Sequence, residues 1–393
     1  MSRNPGQRPI IFVVAAEPSG DALGGPIINS IEAKAPGRFR FVGVGGEQMI
    51  EAGLETLFPM SDITAFGLTE VLPRIPHILK RLKQVAQAAE AMNPVLVLTI
   101  DGPDFSFRLV KKLTALSCPK VHVVAPTVWA WRPKRAKKVA GLYDHLLCLF
   151  PFEPPYFEKE GLATSFIGHP LVNGAAANAE PGDFPAQHGL TPEDTVITVL
   201  PGSRNSEVDR LLPVFHEALV KLKERIGPFK VLLPTVSSVG EKVKQRVAGW
   251  SMPVIVTTSA ADKYAAMASS TAALAASGTV SLELALTKLP AVLAYRGHPI
   301  SAEIFRRMAV TKYVGLPNVI LDRELITECL QENCTPERLA DELYAVIENK
   351  ERREAIMAGY AQIGHDLGLG HLTPADQAAD TILGLIASES ATA

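Results

Sequence analysis

Two short turns in this chain carry the groups that a diphosphate needs. Pro201-Gly-Ser-Arg204 offers backbone N–H groups, a hydroxyl and a guanidinium at the entry to a helix. Ser277-Gly-Thr279 offers a second such turn, and Glu283 follows about one helical turn later, where its carboxylate can accept hydrogen bonds from ribose hydroxyls. One turn of this kind is weak evidence. Two of them, each directly after an apolar run, point to a nucleoside diphosphate held by Gly202, Ser203, Arg204, Ser277, Gly278, Thr279 and Glu283. The chain has no Gly-Lys-Ser/Thr turn, no Asp-x-Asp pair and no zinc spacing, so neither a metal nor a cofactor is implied. Arg204 and the helix ends must then neutralise the phosphate charge.

The remaining chemistry-bearing residues also follow apolar runs. Asp101, in Asp101-Gly-Pro-Asp-Phe105, lies where a general base at the mouth of a cleft would lie, whereas Asp104 reads as a helix cap. Glu17-Pro-Ser-Gly-Asp21 is equally a site and a plain strand-to-helix turn capped by Ser19 or Asp21. Trp129 and Trp131 precede five basic residues between positions 132 and 138. Rings beside cations suit an amphiphilic anion, but a core tryptophan pair next to a solvated helix face is the commoner arrangement. Gly43-Val-Gly-Gly46 is a fragment of a dinucleotide fingerprint without its third glycine, and it keeps a nicotinamide-dependent dehydrogenase as a minor alternative. The nine histidines form no cluster, and His169 reads as a structural hydrogen-bonding residue.

The elements that must position these groups form two series. Apolar runs at 10–16, 39–44, 95–100, 121–125 and 146–150 alternate with helical stretches. A second series runs at 196–200, 230–233, 254–258, 271–276 and 291–295. Runs buried on both faces and separated by helices make parallel sheets. The fold class is therefore α/β, with two Rossmann-like doubly wound domains facing a cleft and ligands held beyond the carboxyl ends of the strands. The Ala-, Asn-, Gly- and Pro-rich stretch 169–195 reads as a linker. It sets an N-terminal domain at 1–175, a C-terminal domain at 190–345 and a helical tail at 346–393.

In the 393-residue chain, 39 Lys and Arg balance 41 Asp and Glu. No global basic field exists, which argues against bulk nucleic-acid binding. The four cysteines, at 118, 148, 329 and 334, make no C-x-x-C pair and suit a reducing, cytoplasmic compartment. No stretch is apolar enough to span a bilayer, and the run at 10–16 reads as a first strand rather than a leader. Residues 72–89 form a basic amphipathic helix, with Ile75, Ile78, Leu79, Leu82 and Val85 on its stripe and Arg74, Lys80, Arg81 and Lys83 around it. Such a helix usually packs on its own core. It can also lie on an anionic membrane. Phe305-Arg-Arg-Met308 is a second, lesser candidate of this kind.

Taken together, several blocks resemble one family. They are Glu17-Pro-Ser-Gly-Asp21, Phe66-Gly-Leu-Thr-Glu-Val71, Asp101-Gly-Pro-Asp-Phe105, Val128-Trp-Ala-Trp-Arg132, Phe152-Glu153, Gly168-His-Pro170, Leu200-Pro-Gly-Ser-Arg204, Ala276-Ser-Gly-Thr279 with Glu283, Tyr295-Arg296 and Leu316-Pro-Asn318. In order and spacing they are similar to the lipid-A-disaccharide synthases, up to about residue 325. The resemblance implies an inverting glycosyltransferase of GT-B fold. Its donor would be UDP-2,3-diacylglucosamine and its acceptor 2,3-diacylglucosamine 1-phosphate (lipid X), giving a β(1→6)-linked disaccharide 1-phosphate and UDP. It implies Asp101 as the base, with Glu17 next in line, and UDP on the two turns above. Ser19, Trp129, Trp131, Arg132 and Asn318 would lie at the acceptor or lipid site. It also implies peripheral attachment to the anionic cytoplasmic face of the inner membrane, and it admits a homodimer. Pro18, Gly102, Ser106 and Ala125 depart from the family pattern and bear on substrate preference rather than on the reaction. Two alternatives share the architecture. A UDP-N-acetylglucosamine 2-epimerase handles no lipid, and a glycosyltransferase of peptidoglycan lipid synthesis lacks the Trp-Ala-Trp block.

Overall fold

The computed structural model describes residues 8–64, 68–297 and 310–392. Phe66 and Gly67 of the second block, and the Phe305-Arg-Arg-Met308 segment, lie outside them. The chain divides into two compact units, Met1–Pro170 with His371–Ala393, and Leu171–Gly370.

The first unit is built on a seven-stranded sheet ordered β3-β2-β1-β4-β5-β6-β7. Its strands are β1 (Ile10–Ala15), β2 (Arg40–Val44), β3 (Leu54–Thr56), β4 (Leu96–Ile100), β5 (Lys120–Val123), β6 (His145–Cys148) and β7 (Ala163–Phe166). The pairings are parallel, and Val13 of β1 lies opposite Gly43 of β2 on one side and Leu98 of β4 on the other. Gly43 is required there, because a Cβ would lie 1.9 Å from the Val13 carbonyl oxygen. Ile11, Val13, Leu96 and Leu98 pack on one face, and Phe12, Val14 and Val97 on the other. Burial on both faces is what makes these strands read as unbroken apolar runs.

The second unit holds a six-stranded parallel sheet ordered β10-β9-β8-β11-β12-β13. Its strands are β8 (Val196–Leu200), β9 (Lys230–Pro234), β10 (Val254–Thr257), β11 (Ala272–Ala276), β12 (Ala291–Tyr295) and β13 (Glu328–Leu330). Strand order reverses between β1 and β4 in the first unit and between β8 and β11 in the second. Connections leave these two junctions in opposite directions, so a crevice opens at the strand ends, the place where open α/β sheets generally hold ligands.

Two features differ from the sequence expectation. The edge strands β3, β7 and β13 are not among the apolar runs, because a short strand with one neighbour need not be apolar on both faces. The tail does not stand apart either. Pro336–Glu348 and Lys350–Asp366 fall in the second unit, while Pro374–Thr392 completes the first. There Ala378, Ala379, Ile382 and Ile386 share a core with Ile27, Ile28 and Ile31 of the Pro18–Lys34 helix. Lys34 pairs with Asp380 at 2.6 Å, and the Ser30 hydroxyl donates to Asp376. A return crossing of this kind leaves no mark in composition.

The amphipathic helix spans Leu68–Met92. Leu82, Val85, Ala86 and Ala89 are buried in the core. Nearer its start, Ile75 and Leu79 are 39% and 47% exposed. Arg74 donates to the Ser61 and Thr64 carbonyls, and Arg81 donates to Asp62 and lies over the Phe58 ring. Lys80 and Lys83 are exposed.

Candidate active site

At the first switch point, Asp101 directly follows β4 and Glu17 lies just beyond β1. Asp101 adopts φ +53° and Gly102 φ +52°, a left-handed pair that turns the chain sharply into the Pro103–Val110 helix. The Asp101 backbone is pinned by its N–H to the Val123 carbonyl (3.0 Å) and by the Ser106 hydroxyl to its own carbonyl (2.8 Å). Its side chain accepts the Gly102 N–H at Oδ1 (2.9 Å) and the Ser19 hydroxyl at Oδ2 (2.5 Å). A Cβ at Gly102 would lie 3.6 Å from Glu17 Oε1, so the Glu17 carboxyl stands beside this turn. Burial, then the charges of Asp101 and Asp104, raise Glu17 above the usual carboxylate range. Glu17, Ser19 and Asp101 thus form one group, while the Asp104 carboxylate points outward, 3.6 Å from Arg135.

Asp21 does something else. It is buried and accepts the N–H groups of Gly46, Gln48 and Met49, capping the Glu47–Glu51 helix. Its carboxylate fills the place a pyrophosphate would need after Gly43-Val-Gly-Gly46, which removes the dehydrogenase alternative.

The tryptophans separate. Trp129 is 9% exposed and meets Phe152 edge-on at 5.3 Å. Trp131 is half-buried, bonds Thr127 Oγ1 through its indole N–H (3.2 Å) and carries the Arg132 guanidinium 4.2 Å above its ring. Trp129 therefore belongs to the wall, and Trp131 with Arg132 forms a cation-bearing aromatic surface beyond β5. Behind the wall lies Glu153, 2% exposed, which accepts the N–H groups of Leu149 (3.2 Å) and Phe150 (3.1 Å). Burial pushes its carboxyl up to about 8, against the opposing pull of the Phe150 N–H, the Trp129 indole and the Leu149 N–H. His169 packs against Phe150, and burial lowers it to about 4, which keeps it neutral at physiological pH.

At the second switch point a cavity of about 660 Å³ spans the ends of β8, β9, β10 and β11. It is lined by Gly202, Ser203, Arg204, Ser277, Gly278, Thr279 and Glu283, and also by Glu207, Lys263 and Tyr264. The structure brings the two predicted turns together here. Glu207 sits on the first of them. Its Oε2 accepts the Ser203 and Arg204 N–H groups (2.9 and 3.3 Å) and its Oε1 the Arg204 guanidinium (2.9 Å). On the second, Glu283 accepts Lys263 at Oε2 (2.5 Å) and the Tyr264 hydroxyl at Oε1 (3.0 Å). The Ser277 and Thr235 hydroxyls are buried in this cavity without a protein partner.

Asn318 is placed differently from the sequence expectation. It is fully buried, donates to the Ile326 carbonyl and Glu328 Oε1 (both 2.8 Å), and accepts the Leu325 and Ile326 N–H groups. Every polar group of this side chain is used in holding its own loop, so it has none left for an acceptor.

The family profile described as lipid-A-disaccharide synthetase matches residues 11–382. The chain belongs to this family. A lipid-A-disaccharide synthase of Rhodospirillum centenum is 48% identical over 96% of this chain and 94% of its own length. One from Paramagnetospirillum magneticum is 41% identical over 96% and 97%. Among solved structures, the UDP-GlcNAc 2-epimerase of Neisseria meningitidis superposes with a TM-score of 0.60 at 10% identity, covering 96% of this chain and 99% of its own. MurG of Acinetobacter baumannii superposes at 0.57 and 12%, covering 97% and 100%. Those two likenesses show the shared GT-B fold alone.

As a lipid-A-disaccharide synthase family member, the protein is a glycosyltransferase that forms the lipid A disaccharide, and the epimerase alternative is not favoured. Among the described residues, no three His, Cys, Asp or Glu side chains converge as a metal site, and no helix is long and apolar enough to cross a membrane. Sequence reasoning missed Glu207, Lys263 and Tyr264, and named Glu153 within a family block without giving it a role. Glu207 left a signal, the capping-box spacing from Arg204. Lys263 and Tyr264 left none.

Proposed function

We propose that Asp101 is the general base of the transfer and that the β8–β11 cavity holds the donor's UDP. Asp101 removes the proton of the acceptor 6-hydroxyl. That oxygen attacks the donor's anomeric carbon as the bond to the β-phosphate oxygen breaks, so C1 inverts and UDP leaves. Positive charge develops on the sugar ring and negative charge on the diphosphate, where preorganised donors stabilise it. The observation that carries this assignment is Asp101's setting. Its carboxylate is oriented by the Ser19 hydroxyl and the Gly102 N–H at a switch point, and Glu17 stands beside it with a raised proton affinity. Glu17 is the reserve proton acceptor.

Gly202, Ser203, Arg204, Ser277, Gly278 and Thr279 surround the diphosphate, and Glu283 takes the ribose hydroxyls. Trp131 and Arg132 meet the acceptor, and Trp129 supports them from behind. Both substrates are lipids, which supports peripheral attachment to the cytoplasmic face of the inner membrane. Ile75 and Leu79 are its apolar contacts, and Lys80 and Lys83 its cationic ones. Incubating the protein with both diacyl substrates and weighing the product tests the assignment. A disaccharide 1-phosphate with stoichiometric UDP supports it. Conversion of a UDP-sugar without acceptor contradicts it.

A further inference from the structure

The cavity's charges are already paired. Its lining holds two cations and two carboxylates, and each cation is bound to one carboxylate, Arg204 to Glu207 and Lys263 to Glu283. Lys263 arrives there through topology. The Ala260–Ala268 helix leads from the edge strand β10 to β11, and that connection crosses over β9 and β8. Residues 263 and 264 therefore pass the switch point, and both reach Glu283 on the Val280–Leu286 helix.

A diphosphate entering this cavity brings two or more negative charges to a lining whose own charges cancel. Binding is favourable only if the cations turn toward it. Arg204 is 79% exposed at its side chain and has room to do so. Lys263 is 30% exposed at its side chain, with its ammonium at the end of a flexible four-carbon stem. Its present partner, Glu283, is also the group offered to ribose hydroxyls, and its two oxygens already take Lys263 and Tyr264. A ribose that engages Glu283 competes with the ammonium for the carboxylate, while the phosphates attract that same ammonium.

We propose that Lys263 is the second cation of the donor diphosphate site, and that it exchanges Glu283 for the phosphates as the nucleotide binds. The proposal rests on the donor assignment above and adds a residue to it. Glu283 then changes from an ion-pair partner to a ribose acceptor, and the phosphates meet two cations, Arg204 and Lys263. Tyr264 keeps Glu283 in place during the exchange, because its hydroxyl holds the other carboxylate oxygen.

The test compares UDP with uridine, which shares the base and ribose but has no phosphate. Affinities of both are measured by NMR titration for the parent, Lys263→Met and Lys263→Arg, with melting curves to establish that each is folded. Lys263→Met is expected to lose about tenfold or more in UDP affinity, the weight of a charged hydrogen bond. Uridine affinity should not fall, because removing the ammonium frees Glu283 for the ribose. Lys263→Arg should keep most of the UDP affinity, and the salt dependence of UDP binding should be shallower in Lys263→Met. Unchanged UDP affinity overturns the proposal. So does an equal loss for UDP and uridine, because Lys263 would then act only by holding Glu283. A folded parent that binds no UDP at all overturns the donor assignment itself.

Discussion

Ser19 donates its hydroxyl to Asp101 Oδ2 at 2.5 Å, across 82 residues of sequence. Ser19 lies in the first turn of the helix after β1 and Asp101 directly beyond the adjacent parallel strand β4, and the contact fixes one rotamer of the carboxylate while leaving Oδ1 to the Gly102 N–H. Loss of a hydrogen bond to a charged group costs about 1.5–3 kcal/mol. Ser19→Ala is therefore expected to lower kcat about tenfold or more, with UDP affinity unchanged. Steady-state kinetics beside UDP titration checks this, and a parental kcat would remove Ser19 from the account.

Arg204 is expected to act without a metal. Arg204→Ala should weaken UDP binding about tenfold or more, again the weight of a charged hydrogen bond. Activity of the parent should survive EDTA. A strict Mg²⁺ requirement would contradict this charge scheme.

Glu153 supplies a pH dependence of stability. Its carboxyl is raised from an ordinary 4.5 to about 8, mainly by burial. A raised folded value means that its contribution is fully present below about 4.5 and is lost as pH rises through about 8. Melting temperature should fall between about pH 4.5 and 8 in the parent, and fall less in Glu153→Gln, which stays neutral. Parallel pH profiles for the two proteins would show that Glu153 does not titrate there.

Much of this was legible in the sequence. The central strands are buried on both faces, so runs such as Ile11-Phe-Val-Val14 announce a parallel sheet, and two of the turns after them line one cavity. Edge strands such as Leu54-Glu-Thr56 and Glu328-Cys-Leu330 were not legible, because each needs only one neighbour. Lys263 reaches the proposed donor cavity only because a connection crosses two strands, and no local pattern encodes that. Asn318 failed in the opposite direction. Its place in a family block said that the residue matters, but only the structure says that it matters for its own loop.

The proposed membrane contact is narrower than the whole amphipathic stripe. Arg74 and Arg81 are committed to carbonyls and to Asp62, and Leu82 and Val85 to the core. Replacing Ile75 and Leu79 by Ser together should reduce binding to anionic liposomes several-fold, with melting temperature little changed. Replacing Lys80 and Lys83 by Ser should make the residual binding less sensitive to salt, each cation contributing about 1 kcal/mol near an anionic surface. Parental liposome binding in both double variants would place the contact elsewhere.

The most direct test is turnover of Asp101→Ala on detergent-dispersed lipid substrates, measured as UDP released, beside its affinity for UDP. A general base contributes about 10²-fold or more. The predicted result is a kcat lower by about that factor, with UDP affinity close to the parent's, because Asp101 and the proposed nucleotide cavity lie on different sheets. Near-parental turnover would contradict the assignment and move the proton transfer to Glu17.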